Sequence, residues 1–234
     1  KKFIQSFALL KSFTTFICSN CDNTHYLYNF GELNTNRSLG SVTFLGRYGL
    51  MDFTLSNFSN SGIDKMYVLC SSGAQTIRNH VGAGNIWINN TKNGYLRLLM
   101  NEKVSQTSKF NTDISCVLAN YAYFEHSEAD YIVVAPTFFL MSYDYRAAIS
   151  AHVKSGADVS VVYKHATNAD KEYLNCDLLT INNRKDIIDF KTNNGDQTEA
   201  NVSLESFIFS KKSFENMIQK SKEVSQLYTI RKMI

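Results

Sequence analysis

The sequence predicts an α/β fold with a mostly parallel central sheet and helices on both faces. Three observations predict it. Short apolar runs rich in β-branched residues, such as Tyr131-Ile-Val-Val-Ala135, suit strands buried on both sides of a sheet. Stretches with apolar residues at helical spacing lie between those runs, so strand and helix alternate through the first 165 residues. Gly62, Gly82, Gly84 and Gly156 stand just past the helical stretches, where a left-handed residue closes a helix.

The elements follow in order. Residues 13–18 form a first strand, and a polar loop runs from 19 to about 37. Residues 50–60 place Leu50, Phe53, Leu55 and Phe58 among Asp52, Ser56 and Asn57, an amphipathic helix ended by Ser61-Gly62. Residues 66–70 are a second strand and 74–81 a second helix. A single helix is expected over 114–126, a third strand over 131–135, a helix over 145–155 and a fourth strand over 158–163. After residue 165 the alternation stops: 178–181, 187–191 and 206–209 read as short strands of an antiparallel or mixed extension, and 213–225 as a closing helix. Residues 1–234 are expected to be one domain, with an N-terminal extension over 1–12, a βαβ core over 13–165 and an extension over 166–234.

Composition narrows the function classes. An apolar content of 44% in 234 residues supports a folded core of ample size. A net charge of +3, with no Lys/Arg run longer than two, argues against nucleic acid. No apolar stretch approaches the roughly 20 residues of a membrane span, and residues 1–10 are broken by Gln5 and Ser6 with no small-residue cleavage site, unlike a signal peptide. The five cysteines are odd in number, and Cys18, Cys70 and Cys116 sit in or beside apolar stretches. A reducing, cytoplasmic setting is therefore expected. Cys18-Ser-Asn-Cys21 has the C-x-x-C spacing, but no second ligand pair completes a zinc site.

Residues 37–63 read RSLGSVTFLGRYGLMDFTLSNFSNSGI. The core Gly46-Arg47-Tyr48, Asp52-Phe53-x-Leu55-Ser56-Asn57 and Asn60-Ser61-Gly62-Ile63 resembles the signature of glucose-1-phosphate adenylyltransferases. His80-Val-Gly-Ala-Gly84, with Trp87 after it, resembles the family's histidine and glycine turn, and weaker matches carry the likeness to about residue 209. The resemblance implies a Rossmann-like nucleotidyltransferase domain, and is closest to the non-catalytic, regulatory-type subunit found beside a catalytic one in some Gram-positive bacteria. It also implies a C-terminal β-helix of hexapeptide repeats, of which these 234 residues contain none.

The reaction of that family transfers a nucleotidyl group from ATP to glucose 1-phosphate and releases pyrophosphate. It needs a cradle for phosphate oxygens and charges to neutralise them. At the positions the resemblance assigns to those tasks, this sequence departs. The glycine-rich loop becomes Ser19 to Tyr28, with no glycine or arginine. The lysine of R-x-K-P becomes Leu39, the arginine after Tyr48 becomes Gly49, and the magnesium-binding acid becomes Phe138. The sugar-phosphate lysine becomes Asn193, with Lys191 two positions earlier on the same strand face. The expectation is a closed, vestigial pocket marked by Arg37, Arg47, Asp52, His80, Phe138, Lys191 and Ser203, with no catalytic residue and no metal in this chain, magnesium belonging to catalytic relatives. Plainer roles stand beside these: Asp52 pairing locally, His80 structural, Phe138 and Phe139 an apolar plug, Asp144 a helix cap. The resemblance implies a catalytic adenylyltransferase subunit as partner, no nucleic acid and no membrane, and leaves open weak binding of ATP or glucose 1-phosphate. Two alternatives remain: an active nucleotidyltransferase using displaced charges such as Lys191 and Arg37, and a non-reacting sugar-phosphate or nucleotide sensor.

Overall fold

The computed structural model describes residues 13–19, 38–70, 74–90, 92–100, 112–224 and 230–234. Residues 20–37, expected as a polar loop and including Cys21 and Arg37, lie outside the described residues, as do the side chains of the first strand, including Cys18. The chain divides into two compact units, one of Lys1–Ser160 with Ile208–Ile234, the other of Val161–Phe207.

In the first unit, β1 (Phe13–Ser19) is followed by a short hairpin of β2 (Thr43–Phe44) and β3 (Tyr48–Gly49). Then come α1 (Leu50–Asn60), β4 (Lys65–Cys70), α2 (Ala74–Val81) and β5 (Tyr95–Met100). Two short helices, α3 (Asp113–Ala119) and α4 (Tyr121–Glu125), precede β6 (Tyr131–Pro136) and α5 (Tyr145–Ser155). The four long strands lie in the order β5-β4-β1-β6, all parallel. Registers such as Ser19↔Cys70, Cys70↔Met100 and Cys18↔Pro136 bring their carboxyl ends to one edge. The chain moves outward from β1 to β4 and β5 and then returns to β6, so the order reverses between β1 and β6. That reversal point, beyond the carboxyl ends, is where open α/β sheets place ligands.

The single helix expected over 114–126 is two. Asn120 breaks it with φ −116° and ψ 21°, and its side-chain amide donates to the carbonyls of Met100 and Cys116. β5 was not expected from the sequence; Arg97 in its centre obscures the apolar run. Cys70 and Cys116 are buried, as their apolar settings implied. Among the described residues no helix is long and apolar enough to cross a membrane.

The core of this unit gathers Met51, Leu55 and Phe58 of α1 with Met66 and Val68 of β4, Val133 and Ala135 of β6, and Tyr145 and Ile149 of α5. The polar residues of α1 have a different task. Thr54 donates to the Pro136 carbonyl at 2.9 Å. Asn57 donates to the Met141 carbonyl and accepts from Tyr143 N at 3.0 Å. Ser61, just past the helix, accepts from Tyr145 N at 2.9 Å. These residues recur at positions i, i+3 and i+7, on one helix face. The signature thus stitches α1 to the loop between β6 and α5.

In the second unit, β7 (Val159–Ala166) enters and β10 (Ala200–Ser210) leaves. Between them β8 (Asp177–Ile181) and β9 (Ile187–Thr192) form an antiparallel pair, and β10 runs antiparallel to β8. The strand expected over 206–209 is the end of the eleven-residue β10. A small core of Ala166, Ala169, Leu178, Ala200 and Val202 closes this unit. After β10 the first unit resumes with α6 (Lys211–Val224) and α7 (Ile230–Met233).

Candidate functional site

The site expected from the sequence lies where the chain leaves β6. Thr137 is fully buried and its hydroxyl has no hydrogen-bond partner. Phe138 turns onto a compact apolar cluster of Leu39, Val42 and Leu50, against which Phe44 of the hairpin also packs. Leu39 begins a 3-10 turn, Leu39–Ser41, tied to α2 by the Ser41 hydroxyl, which donates to Thr76 Oγ1 at 2.9 Å. Leu39 and Phe138 thus meet in one hydrocarbon cluster. These are the positions at which the resemblance places a lysine and a metal-binding acid.

Asp52 and His80 also come together. Asp52 is 8% exposed, and both carboxylate oxygens are engaged. One accepts from Gly49 N at 2.9 Å, which caps the start of α1; the other lies 2.6 Å from His80 Nε2. A carboxylate only accepts, so Nε2 carries the proton in this pair. Gly49 belongs to the same arrangement. A Cβ there would stand 2.8 Å from His80 Nε2 and 3.1 Å from the Gly40 carbonyl. The arginine implied for this position therefore has no room while His80 holds Asp52. Arg47 is exposed and lies 5.7 Å from the Tyr48 ring centroid.

Asp144 caps α5, accepting from Arg146 N at 3.0 Å. The Arg146 side chain adds further hydrogen bonds, which hold the Asp144 carboxyl below the usual carboxylate range. Behind the histidine turn, Gly84 has φ +73°, and a Cβ on it would come within 2.8 Å of Leu96 Cβ. Only glycine meets both demands.

In the second unit, Asn193 is buried and wholly occupied by its own loop. Its amide donates to the carbonyls of Ala169 and Tyr173 at 2.8 and 2.9 Å, and its oxygen accepts from Gly195 N. It pins residues 169–176 against β9. Lys191 is exposed and sits 3.6 Å from Asp189. It lines a cavity of about 300 Å³ together with Thr192, Asn194, Asp196 and Gln197. Ser203 is buried and accepts from Glu205 N at 3.2 Å.

The magnesium ion that the resemblance implies for active relatives does not fit these residues. Phe138 carries no oxygen, and the neighbouring Thr137 hydroxyl is uncharged. Among the described residues, no group of three or more His, Cys, Asp or Glu is gathered where it could hold a metal. The hairpin β2–β3 and its part in the apolar cluster were not expected from the sequence. The apolar residues Val42, Phe44 and Leu50 around a Leu-Gly turn were the available signal.

Comparison with known proteins places these observations. A family model described as nucleotidyl transferase matches residues 33–229. The chain is 32% identical over 131 residues to a glucose-1-phosphate adenylyltransferase of Geobacillus stearothermophilus, covering 56% of this chain and 34% of that protein. It is 31% identical over 130 residues to the protein of the same name from Bacillus mycoides, covering 55% and 35%. It is also 27% identical over 166 residues to the glycogen biosynthesis protein GlgD of Geobacillus stearothermophilus, covering 68% and 46%. The chain thus spans between 34% and 46% of the length of these relatives.

Proposed function

The chain belongs to the nucleotidyl transferase family, and on that premise we propose that it is a regulatory, catalytically silent subunit. In this reading it supports ADP-glucose synthesis from ATP and glucose 1-phosphate by pairing with a catalytic glucose-1-phosphate adenylyltransferase. The observation that carries the reading is the meeting of Leu39 and Phe138 in one apolar cluster. Nucleotidyl transfer needs charge placed at the phosphates, and hydrocarbon at both positions supplies none. The occupied Asn193 and the space taken by His80 beside Gly49 argue the same way. The alignment with the protein named GlgD runs over 166 residues, further than the 131 shared with the adenylyltransferase of the same organism. Arg37, Arg47, Asp52, His80 and Phe138 of the first unit, and Lys191 and Ser203 of the second, are then each read as remnants of substrate-binding positions, and magnesium acts in the partner.

The test is kinetic. The chain is titrated into a catalytic glucose-1-phosphate adenylyltransferase from the same source while ADP-glucose formation is followed. A saturable change in kcat or KM is expected; kinetics that do not move at any ratio would remove the regulatory role. A second reading, a non-reacting sugar-phosphate sensor, is favoured by the cavity lined by Lys191, Thr192 and Asn194. Calorimetric titration with glucose 1-phosphate alone separates the two: saturable heat, lost in Lys191→Ala, supports the sensor.

A further inference from the structure

The β2–β3 hairpin and the loop after β6 carry exposed large apolar side chains. On the β2–β3 hairpin, Leu45 is 78% exposed and Tyr48 44% exposed. Phe53 of α1 packs on both Phe44 and Tyr48, at 5.8 and 6.3 Å between ring centroids. Phe44 and Phe138 rest on the same Leu39, Val42 and Leu50 cluster. Phe139 stacks on Phe138 at 5.2 Å, and Leu140 beyond it is 47% exposed. The hairpin and the loop after β6 are therefore joined through one cluster and show solvent a set of large apolar side chains. Patches of this kind mark interaction sites.

Two further features make this more than incidental exposure. Leu45 sits in the turn with φ 52°, in the left-handed region, beside Gly46 at φ 71°. Asn or Asp suits the first of these positions; a leucine there is strained and gains no burial in return. A residue that breaks the local rule and faces solvent is placed for something outside the fold. The one charge on the hairpin is Arg47. It lies against the Tyr48 ring and, among the described residues, pairs with no carboxylate. Tyrosine, phenylalanine and arginine together are the composition of interface cores.

We propose that this face is a protein-docking surface whose occupant is an apolar segment of the catalytic partner carrying a carboxylate opposite Arg47. The proposal rests on the regulatory reading above. Loss of the phosphate-handling charges would then have converted a substrate mouth into a contact surface.

The experiment measures the affinity of the full chain for the catalytic adenylyltransferase by sedimentation, using wild type, Leu45→Ser, Leu140→Ser, Arg47→Glu and Arg47→Lys. Ile188→Ser serves as a control, since Ile188 is exposed in the second unit. Each leucine variant and Arg47→Glu should weaken binding about tenfold or more. Arg47→Lys should cost less than Arg47→Glu, and Ile188→Ser nothing. Unchanged affinity in the hairpin and Leu140 variants would overturn the docking face while leaving the regulatory reading intact. Absence of any wild-type complex would remove both. A wild-type chain that self-associates, and is made monomeric by the same substitutions, would show that a second copy occupies the face and overturn the choice of partner.

Discussion

Leu39 and Phe138 belong to one apolar cluster at the point where the chain leaves β6. Together they bury one another with Val42 and Leu50. Phe138→Asp would bring a carboxylate onto that cluster without a cation, so it should destabilise the chain by about 1–3 kcal/mol. Phe138→Leu should stay within about 1.5 kcal/mol of wild type. Chemical denaturation distinguishes them, and equal stability of the two variants would contradict the plug. The neighbouring Thr137 gives a prediction of opposite sign. Its buried hydroxyl has no partner, so Thr137→Val should be neutral or stabilising in the same assay. A loss of more than about 1 kcal/mol would mean that the hydroxyl is satisfied after all.

At the scale of elements, the polar residues of helix α1 have a structural task of their own. Thr54, Asn57 and Ser61 hold the chain from Pro136 to Tyr145 through four separate backbone contacts. Asn57 serves both a donor and an acceptor there, so Asn57→Ala should cost about 1–3 kcal/mol and loosen amide-exchange protection of residues 141–145. A second element-level prediction concerns α5. His152 is buried, with Nδ1 2.8 Å from the Ser160 hydroxyl. Burial pushes its pKa down, against the opposing pull of Asp158. Its folded pKa is thus below its unfolded value, and the unfolded chain binds the proton more readily. Stability should fall as pH drops below about 6.5 and stop falling on this group's account once the depressed folded pKa is passed. Denaturation of wild type and His152→Gln between pH 7 and pH 5, roughly that window, should show a smaller pH dependence in the variant.

The legible elements were those with clean periodicity. The helix over 145–155 with Gly156 behind it, the helix over 50–60, and the parallel strands at 66–70 and 131–135 follow directly from apolar spacing and glycine stops. The break at Asn120 depends on its bonds to two carbonyls, one of them from β5, which no local pattern reveals. β5 was hidden by Arg97, whose guanidinium lies over the Tyr95 and Tyr123 rings rather than away from the sheet. At the candidate site, the uncharged side chains of Leu39 and Phe138 were legible as residue types. The pairing of Leu39 with Phe138, and of His80 with Asp52 beside Gly49, needed the third dimension.

For the whole molecule, the frame of the fold and the chemistry of the groups set on it are two separate properties. The parallel sheet, its reversal point between β1 and β6 and the stitched loop belong to the nucleotidyl transferase fold. In the first unit the groups beyond β6 and at the start of α1 are hydrocarbon and a capping carboxylate; in the second, the Asn193 amide is occupied by its own loop. The regulatory reading proposed above rests on these groups. The most direct measurement is ADP-glucose formation by the purified chain alone, with saturating ATP, glucose 1-phosphate and Mg²⁺ and at high protein concentration. No turnover above the uncatalysed rate is expected. Sustained turnover that scales with chain concentration, and is abolished by Lys191→Ala, would contradict the closed site and establish an enzyme working with displaced charges.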